Sequence, residues 1–152
     1  MFRGLSGINT YVNLTSIDAR FDFGEPGVLV SDDSYMSNII TEKPNNLKQF
    51  TNLGYQSYYI SQEELDLMQK LFFDAYRLGD IAADLHESEP ILRDTDILSV
   101  DLSSVKASEL DDPKGLPNGF DGAQICKLMR YAGLSDRLSV LGVFNISSSL
   151  RA

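Results

Sequence analysis

Three aspartates carry the chemistry this sequence has to offer. Asp18 and Asp22 stand four residues apart in Asp18-Ala19-Arg20-Phe21-Asp22, just past the apolar-alternating run Val12–Ile17. Asp101 lies in a second run of that kind, Asp96-Ile97-Leu98-Ser99-Val100-Asp101-Leu102-Ser103. Carboxylates just beyond a strand's carboxyl end sit where open α/β sheets place their ligands. If the two strands are neighbours in a parallel sheet, all three carboxylates converge on one spot. Converging carboxylates repel and raise one another's pKa unless a cation joins them. Two cations suit such a spot. One is a hard divalent ion, which favours carboxylate and imidazole ligands. The other is the guanidinium of Arg20, which can pair bidentately with carboxylates.

The elements that must position these groups follow from periodicity. Val12–Ile17 reads as the first strand. Gly24–Asp33 reads as a loop with a turn signal at Pro26-Gly27. Ser31, Asp32 and Asp33 offer an N-cap for a helix whose stripe is Tyr35, Met36, Ile39 and Ile40. Pro44 and Asn45-Asn46 stop it. Leu53–Ile60, rich in tyrosine, reads as a second strand. Ser61 and Glu64 form a capping box for a helix carrying Leu65, Met68, Leu71 and Phe72. Leu71-Phe72-Phe73 fits a short strand ending near Asp74 equally well. Gly79–Arg93 reads as helical, broken by Pro90. Asp96–Leu102 is a buried strand, and Ser103–Pro117 a long loop with Asp111-Asp112-Pro113. Pro117-Asn118-Gly119 turns into a helix with the face Ile125, Leu128, Met129 and Ala132, and Gly133 fits the C′ position. Leu138–Phe144 is the last strand. Strands alternating with helices predict a three-layer α/β/α fold with a mostly parallel sheet of about five strands. The whole of 1–152 reads as a single domain, with 1–10 and 147–152 irregular.

Composition narrows the class. The chain has 152 residues, 43% hydrophobic and 23% charged, enough to bury a core as one domain. No apolar run approaches the ~20 residues that span a bilayer. The net charge of −9 argues against nucleic acid and against an anionic membrane surface as partners. The first residues carry no apolar signal region. The one cysteine, Cys126, permits no internal disulfide, so a cytoplasmic setting is the expectation. Cys126 flanks an apolar helical face and reads as a core residue. The one histidine, His86, reads as a solvated surface residue. Tyr55, Tyr58 and Tyr59 read as strand packing, and Asp74 and Arg77 as a pair without chemistry.

The motifs together resemble a known family. Ile17-Asp18-Ala19-Arg20-Phe21-Asp22 is similar to the Asp-Ala-His-x-Asp motif of the ureohydrolases (arginase, agmatinase and formimidoylglutamase). Leu98-Ser99-Val100-Asp101-Leu102-Ser103 is similar to their Ser-Phe-Asp-x-Asp motif. Gly54-Tyr55-Gln56 and Tyr76-Arg77-Leu78-Gly79 fall where family members have a strand and its following loop. Pro117-Asn118-Gly119-Phe120 falls at the family's Gly-rich turn into a helix. The resemblance runs from Asn13 to Phe144 and points to a divergent, formimidoylglutamase-like branch, its C-terminal half only. It implies an arginase-like fold and a hydrolase of linear amidines or guanidines. Two manganese ions would share a bridging hydroxide, Asp18 and Asp101 would bridge both ions, and Asp22 would bind one.

The departures decide the expectation. The motif's histidine is Arg20 here, and a guanidinium cannot ligate a metal. The motif's second late aspartate is Ser103. The Gly-Gly-x-His segment that the family places upstream is not in this sequence, and a family glutamate at the end of the last strand is replaced by Asn145. Asn118 and Gly119 border the family's substrate cleft but also read as plain turn chemistry. Manganese is therefore expected not to bind, with Arg20 taking a lost metal's place. The family sheet has more strands than this chain supplies, so Leu138–Phe144 is expected as an open edge suited to a homo-oligomer or a missing N-terminal half. Three readings stay open: a ureohydrolase-fold protein or fragment without its metals, an active hydrolase whose histidines come from elsewhere, and a small-molecule-binding or oligomerisation module.

Overall fold

The sheet is built outward from β1, Val12–Ile17, whose six residues are all buried. A computed structural model describes residues 1–7, 11–24, 31, 34–110 and 115–146. Five parallel strands lie in the order β3-β2-β1-β4-β5. They are β2, Leu47–Tyr55, β3, Asp74–Arg77, β4, Ile97–Asp101, and β5, Val140–Phe144. The chain steps outward from β1 to β2 and β3, then returns to lay β4 on the other side of β1. That reversal puts the topological switch point between β1 and β4, above their carboxyl ends.

Helices close both faces. On one face α1, Phe2–Ser6, α2, Tyr35–Thr41, and α3, Gln62–Lys70, bring Phe2, Met36 and Met68 against Val12, Leu14 and Ile97. On the other, α4, Leu78–Ala83, α5, Ser88–Arg93, and α7, Gly122–Gly133, bring Ile81, Leu92, Leu128, Tyr131 and Ala132 against Ile17, Leu98 and Val100. A short α6, Ala107–Leu110, lies between β4 and α7. The three-layer α/β/α architecture is the one expected, with every strand parallel. Two capping boxes fix helix starts: Ser61 with Glu64 on α3, and Asp121 with Gln124 on α7.

Several boundaries differ from expectation, each for a local reason. Residues 1–10 are not wholly irregular, since Phe2 folds into the core from α1. β2 begins at Leu47 and ends at Tyr55. Gln56 then turns the chain, its amide donating to the Ala19 carbonyl, so Tyr58 and Tyr59 leave the sheet. Phe72 takes φ +57° and is 85% exposed, so 71–73 is the end of α3 and not a strand. β3 is the polar Asp74–Arg77, in which Asp74 accepts from Gln49 and Arg77 reaches Ser57. The helical break falls at 84–87, where Asp84 caps a 3-10 turn. Pro90 sits in the first turn of α5, where the N–H it lacks has no partner to lose. The 103–117 loop contains α6, and Asp111-Asp112-Pro113 lies outside the described residues. Ser34 holds the N-cap position of α2, while Pro26-Gly27, Asp32-Asp33 and 147–152 also lie outside them. Gly133 ends α7 as a helical residue. Cys126 is exposed, because the face Ile125, Leu128, Met129 and Ala132 turns it away from the sheet. His86 is exposed, as expected, with its Nδ1 3.0 Å from the Tyr131 hydroxyl.

Candidate functional site: a carboxylate cluster at the switch point

Strand parity decides which way the functional groups face. Leu14 and Ile97 pack toward α1, α2 and α3. Alternation then sends Ser16 and Asp18 on β1, and Ser99 and Asp101 on β4, toward that same side. The two strands are paired in register from Leu14–Ile97 to Ile17–Val100, so Asp18 and Asp101 emerge beside each other.

The segment after β1 is held from several sides. The Asp18 amide donates to the Leu53 carbonyl at 3.2 Å, and the Asn52 side chain donates to the Arg20 carbonyl at 2.8 Å. Ala19, Phe21 and Phe23 are buried, with Phe21 packed on Tyr55 at 5.2 Å between ring centres. These anchors oblige Asp22 to adopt φ +55°, a conformation aspartate tolerates better than most residues. Its carbonyl takes the Met36 amide at 3.2 Å, which ties the segment to α2.

Asp18, Asp22 and Asp101 do come together. Asp18 is 3% exposed, and its pKa is pushed from 3.8 up to about 7. Burial is the first cause and the charge of Asp101 the second. The Arg20 backbone amide, a hydrogen bond with Asp22 and the Arg20 charge pull the other way, in that order of size. A hydrogen bond between two carboxyls needs a proton between them.

Both strands end in the same small turn. Asp18 Oδ1 accepts the Arg20 amide at 2.9 Å, and Asp101 Oδ1 accepts the Ser103 amide at 2.7 Å. Asp101 Oδ2 accepts the side-chain amide of Asn145 at 2.7 Å. Asn145 reaches it from the end of β5 with φ +56°, a conformation asparagine adopts readily. The guanidinium of Arg20 lies 5.0 Å over the Tyr59 ring and lines a cleft with Ser103, Leu116 and Asn145. Its charge acts on Asp18 more weakly than its own backbone amide does.

Asp18 and Asp101 lie at the polar end of a cavity of about 370 Å³ whose walls are mostly apolar, among them Phe2, Leu14, Ile39 and Phe144. One further lining residue, Tyr35, went unnoticed as a functional group in the sequence. Tyr35 reaches in from α2, and its hydroxyl hydrogen-bonds Ser16 and Ser99. Burial, then the charges of Asp22 and Asp18, hold that hydroxyl above its ordinary pKa. The sequence signal available was a tyrosine leading an otherwise aliphatic stripe. Asn145 joins this cavity, whereas Asn118 and Gly119 line a separate cleft with Gln56, Tyr58, Arg77 and Lys106. There Gly119 is fixed by contact. A Cβ on it would come within 2.5 Å of the Ser104 carbonyl oxygen.

No protein-family model matches the sequence, and no curated protein matches it at a significant level. The fold, however, is arginase-like, as the solved structures it superposes on show. A formimidoylglutamase from Bacillus subtilis superposes with a TM-score of 0.78 at 16% identity, over 95% of this chain and 48% of that one. The Trypanosoma cruzi formiminoglutamase solved with Mn2+ gives 0.79 at 13% identity, over 94% and 51%. An arginase from Medicago truncatula gives 0.74 at 15% identity, over 95% and 46%. The chain thus spans about half the length of the solved structures it matches. Among the described residues, no group of three or more His, Cys, Asp or Glu side chains is arranged to hold a metal ion.

Proposed function

We propose that this chain is an arginase-fold protein, or part of one, whose binuclear manganese centre has become a metal-free, hydrogen-bonded carboxylate cluster without hydrolytic activity of its own. The observation that carries this reading is the state of Asp101. Its two oxygens accept N–H groups from Ser103 and Asn145, so the carboxylate that resemblance would make a bridging ligand is already held by donors. The remaining donor set agrees. Asp18 and Asp22 share a hydrogen bond, and Arg20 and Ser103 stand where resemblance calls for histidine and aspartate. A divalent ion favours anionic oxygen or neutral imidazole, and a guanidinium or an amide N–H opposes it. The residues present do not fit a pair of manganese ions.

A second reading is a manganese-dependent C–N hydrolase on a linear amidine or guanidine, completed by imidazoles from further polypeptide. It is supported by the meeting of Asp18, Asp22 and Asp101 at the switch point and by the Mn2+ in a fold neighbour. A third, small-molecule binding without catalysis, is supported by the apolar cavity. Urea, ammonia and formamide release from arginine, agmatine and formiminoglutamate, with and without added Mn2+, separates them. No turnover above the buffer blank with any of the three is expected. Metal-dependent turnover that is lost on Asp101→Asn would establish the second reading.

A further inference from the structure

A second cleft opens at the carboxyl ends of β2 and β3, on the far side of β1 from β5. It holds about 320 Å³ and is lined by two cations, Arg77 and Lys106, and by no carboxylate. This is a positive spot on a chain of net charge −9. Other arginines are joined to acids: Arg3 to Glu42, Arg93 to Glu89, and Arg137 to Asp94 and Asp96. Arg77 has only a long contact with Ser57 Oγ at 3.4 Å, which leaves most of its N–H groups without an acceptor among the described residues. The Lys106 ammonium has no hydrogen bond or ion pair among them. The neutral wall of the cleft is fixed. Gln56, 4% exposed, donates from Nε2 to the Asn118 carbonyl at 3.1 Å, and its Oε1 accepts the Tyr58 hydroxyl. The Asn118 side chain donates to that same hydroxyl at 3.3 Å, which closes a ring of hydrogen bonds. Gln124 gives its Oε1 to the Asp121 amide in the capping box of α7, so its side-chain NH2 is the group it has left to offer the cleft.

We infer that this cleft is a binding site for a small phosphate monoester, with Arg77 and Lys106 sharing the phosphate and Gln124 donating to it. Two unpaired like charges lining one cleft repel, and an anion between them reverses the sign of that interaction. A phosphate monoester carries close to two negative charges at neutral pH and three strong acceptor oxygens. That complement matches one planar guanidinium fork, one ammonium and one amide donor. A carboxylate brings one charge and two oxygens, and leaves one of the two cations unpaired. Leu78, Gly79 and Ala82 give the organic part of the ligand an apolar surface beside the charges. The place is also the usual one, since ligands of open α/β sheets bind outside the carboxyl ends of the strands. Arg77, Lys106 and Gln124 take no part in the carboxylate cluster, so the inference holds whether or not that cluster takes a metal.

Titration of the full chain with phenyl phosphate at low salt, followed by amide NMR, reads this directly. Saturable shifts are expected at Ser57, Arg77, Lys106 and Gln124. Benzoate, with the same ring and a carboxylate, should bind at least tenfold more weakly. Arg77→Gln and Lys106→Gln should each weaken phenyl phosphate at least tenfold, the loss expected when one charged donor is removed. Lys70→Gln, at an exposed cation ahead of the amino end of β3, should leave the affinity unchanged. The map of shifts in the unaltered chain keeps the test open if either glutamine variant fails to fold. The inference is overturned by the absence of saturable shifts at millimolar phenyl phosphate, or by shifts centred away from the cleft. It is equally overturned by benzoate binding as tightly, by an affinity that neither glutamine lowers, or by an equal loss with Lys70→Gln, which would mark attraction by charge alone.

Discussion

Replacing Asp18 by asparagine should stabilise this protein at neutral and alkaline pH, because the native cluster holds an aspartate that resists ionising. The folded pKa of about 7 lies some three units above the ordinary 3.8. Below pH ~4 the proton is bound in both the folded and unfolded chains, and Asp18 costs nothing. Between pH ~4 and ~7 the unfolded chain releases the proton while the folded chain keeps it. Stability therefore falls as pH rises through that window and levels off above it. At 1.36 kcal/mol per unit, the full cost is on the order of 4 kcal/mol. Asp18→Asn keeps an Oδ1 to accept the Arg20 amide and removes the charge facing Asp101. Urea unfolding at pH 5, 6, 7 and 8 supplies the test. The asparagine variant should gain on the unaltered chain by about 1 kcal/mol per pH unit up to about pH 7. Comparing the two proteins cancels carboxylates that titrate alike in both. A variant less stable at pH 8, or two parallel pH profiles, would refute the reasoning.

Asn145→Ala removes one of the two donors to Asp101 and should lower stability by about 1–2 kcal/mol, seen as a lower melting temperature. Gly119→Ala forces a methyl against the Ser104 carbonyl oxygen and the Lys106 amide, and should cost about 1–3 kcal/mol by the same measurement. Ser61→Ala removes the hydroxyl that accepts the Glu64 amide at the start of α3, with an expected loss of about 1 kcal/mol. Arg20→His combined with Ser103→Asp returns ligand types to two positions beside the cluster. It should convert a chain that retains no manganese after dialysis into one that retains about one ion, read by atomic emission.

The strands that mattered most were legible because burial wrote them plainly. Val12–Ile17 alternates apolar with small polar residues and Ile97–Asp101 is largely apolar, each running into an aspartate, and both lie inside a parallel sheet. Their adjacency at the switch point followed from the α/β pattern, and with it the meeting of Asp18, Asp22 and Asp101. The peripheral strands were harder to read. Asp74–Arg77 has no apolar run because it is an edge. The Tyr55–Tyr59 cluster has strand composition, yet Gln56 bonds to Ala19 and Asn118 and bends the chain away. Arg20 was expected to take a lost metal's place, and its geometry was not legible. Spacing cannot foretell that a Tyr59 ring will take the guanidinium while the backbone amide takes Asp18. Asn145 was noticed for what it replaced, and its bond to Asp101 depends on a left-handed residue at the end of β5.

The central claim is that the carboxylates of Asp18, Asp22 and Asp101 are held by protons and N–H donors in place of manganese. Its most direct test is the metal content of the chain after growth in manganese-rich medium and gel filtration without chelator. Less than a tenth of an ion per chain is expected, with no change in melting temperature on adding millimolar Mn2+. One or two tightly held manganese ions per chain, lost on Asp101→Asn, would contradict it.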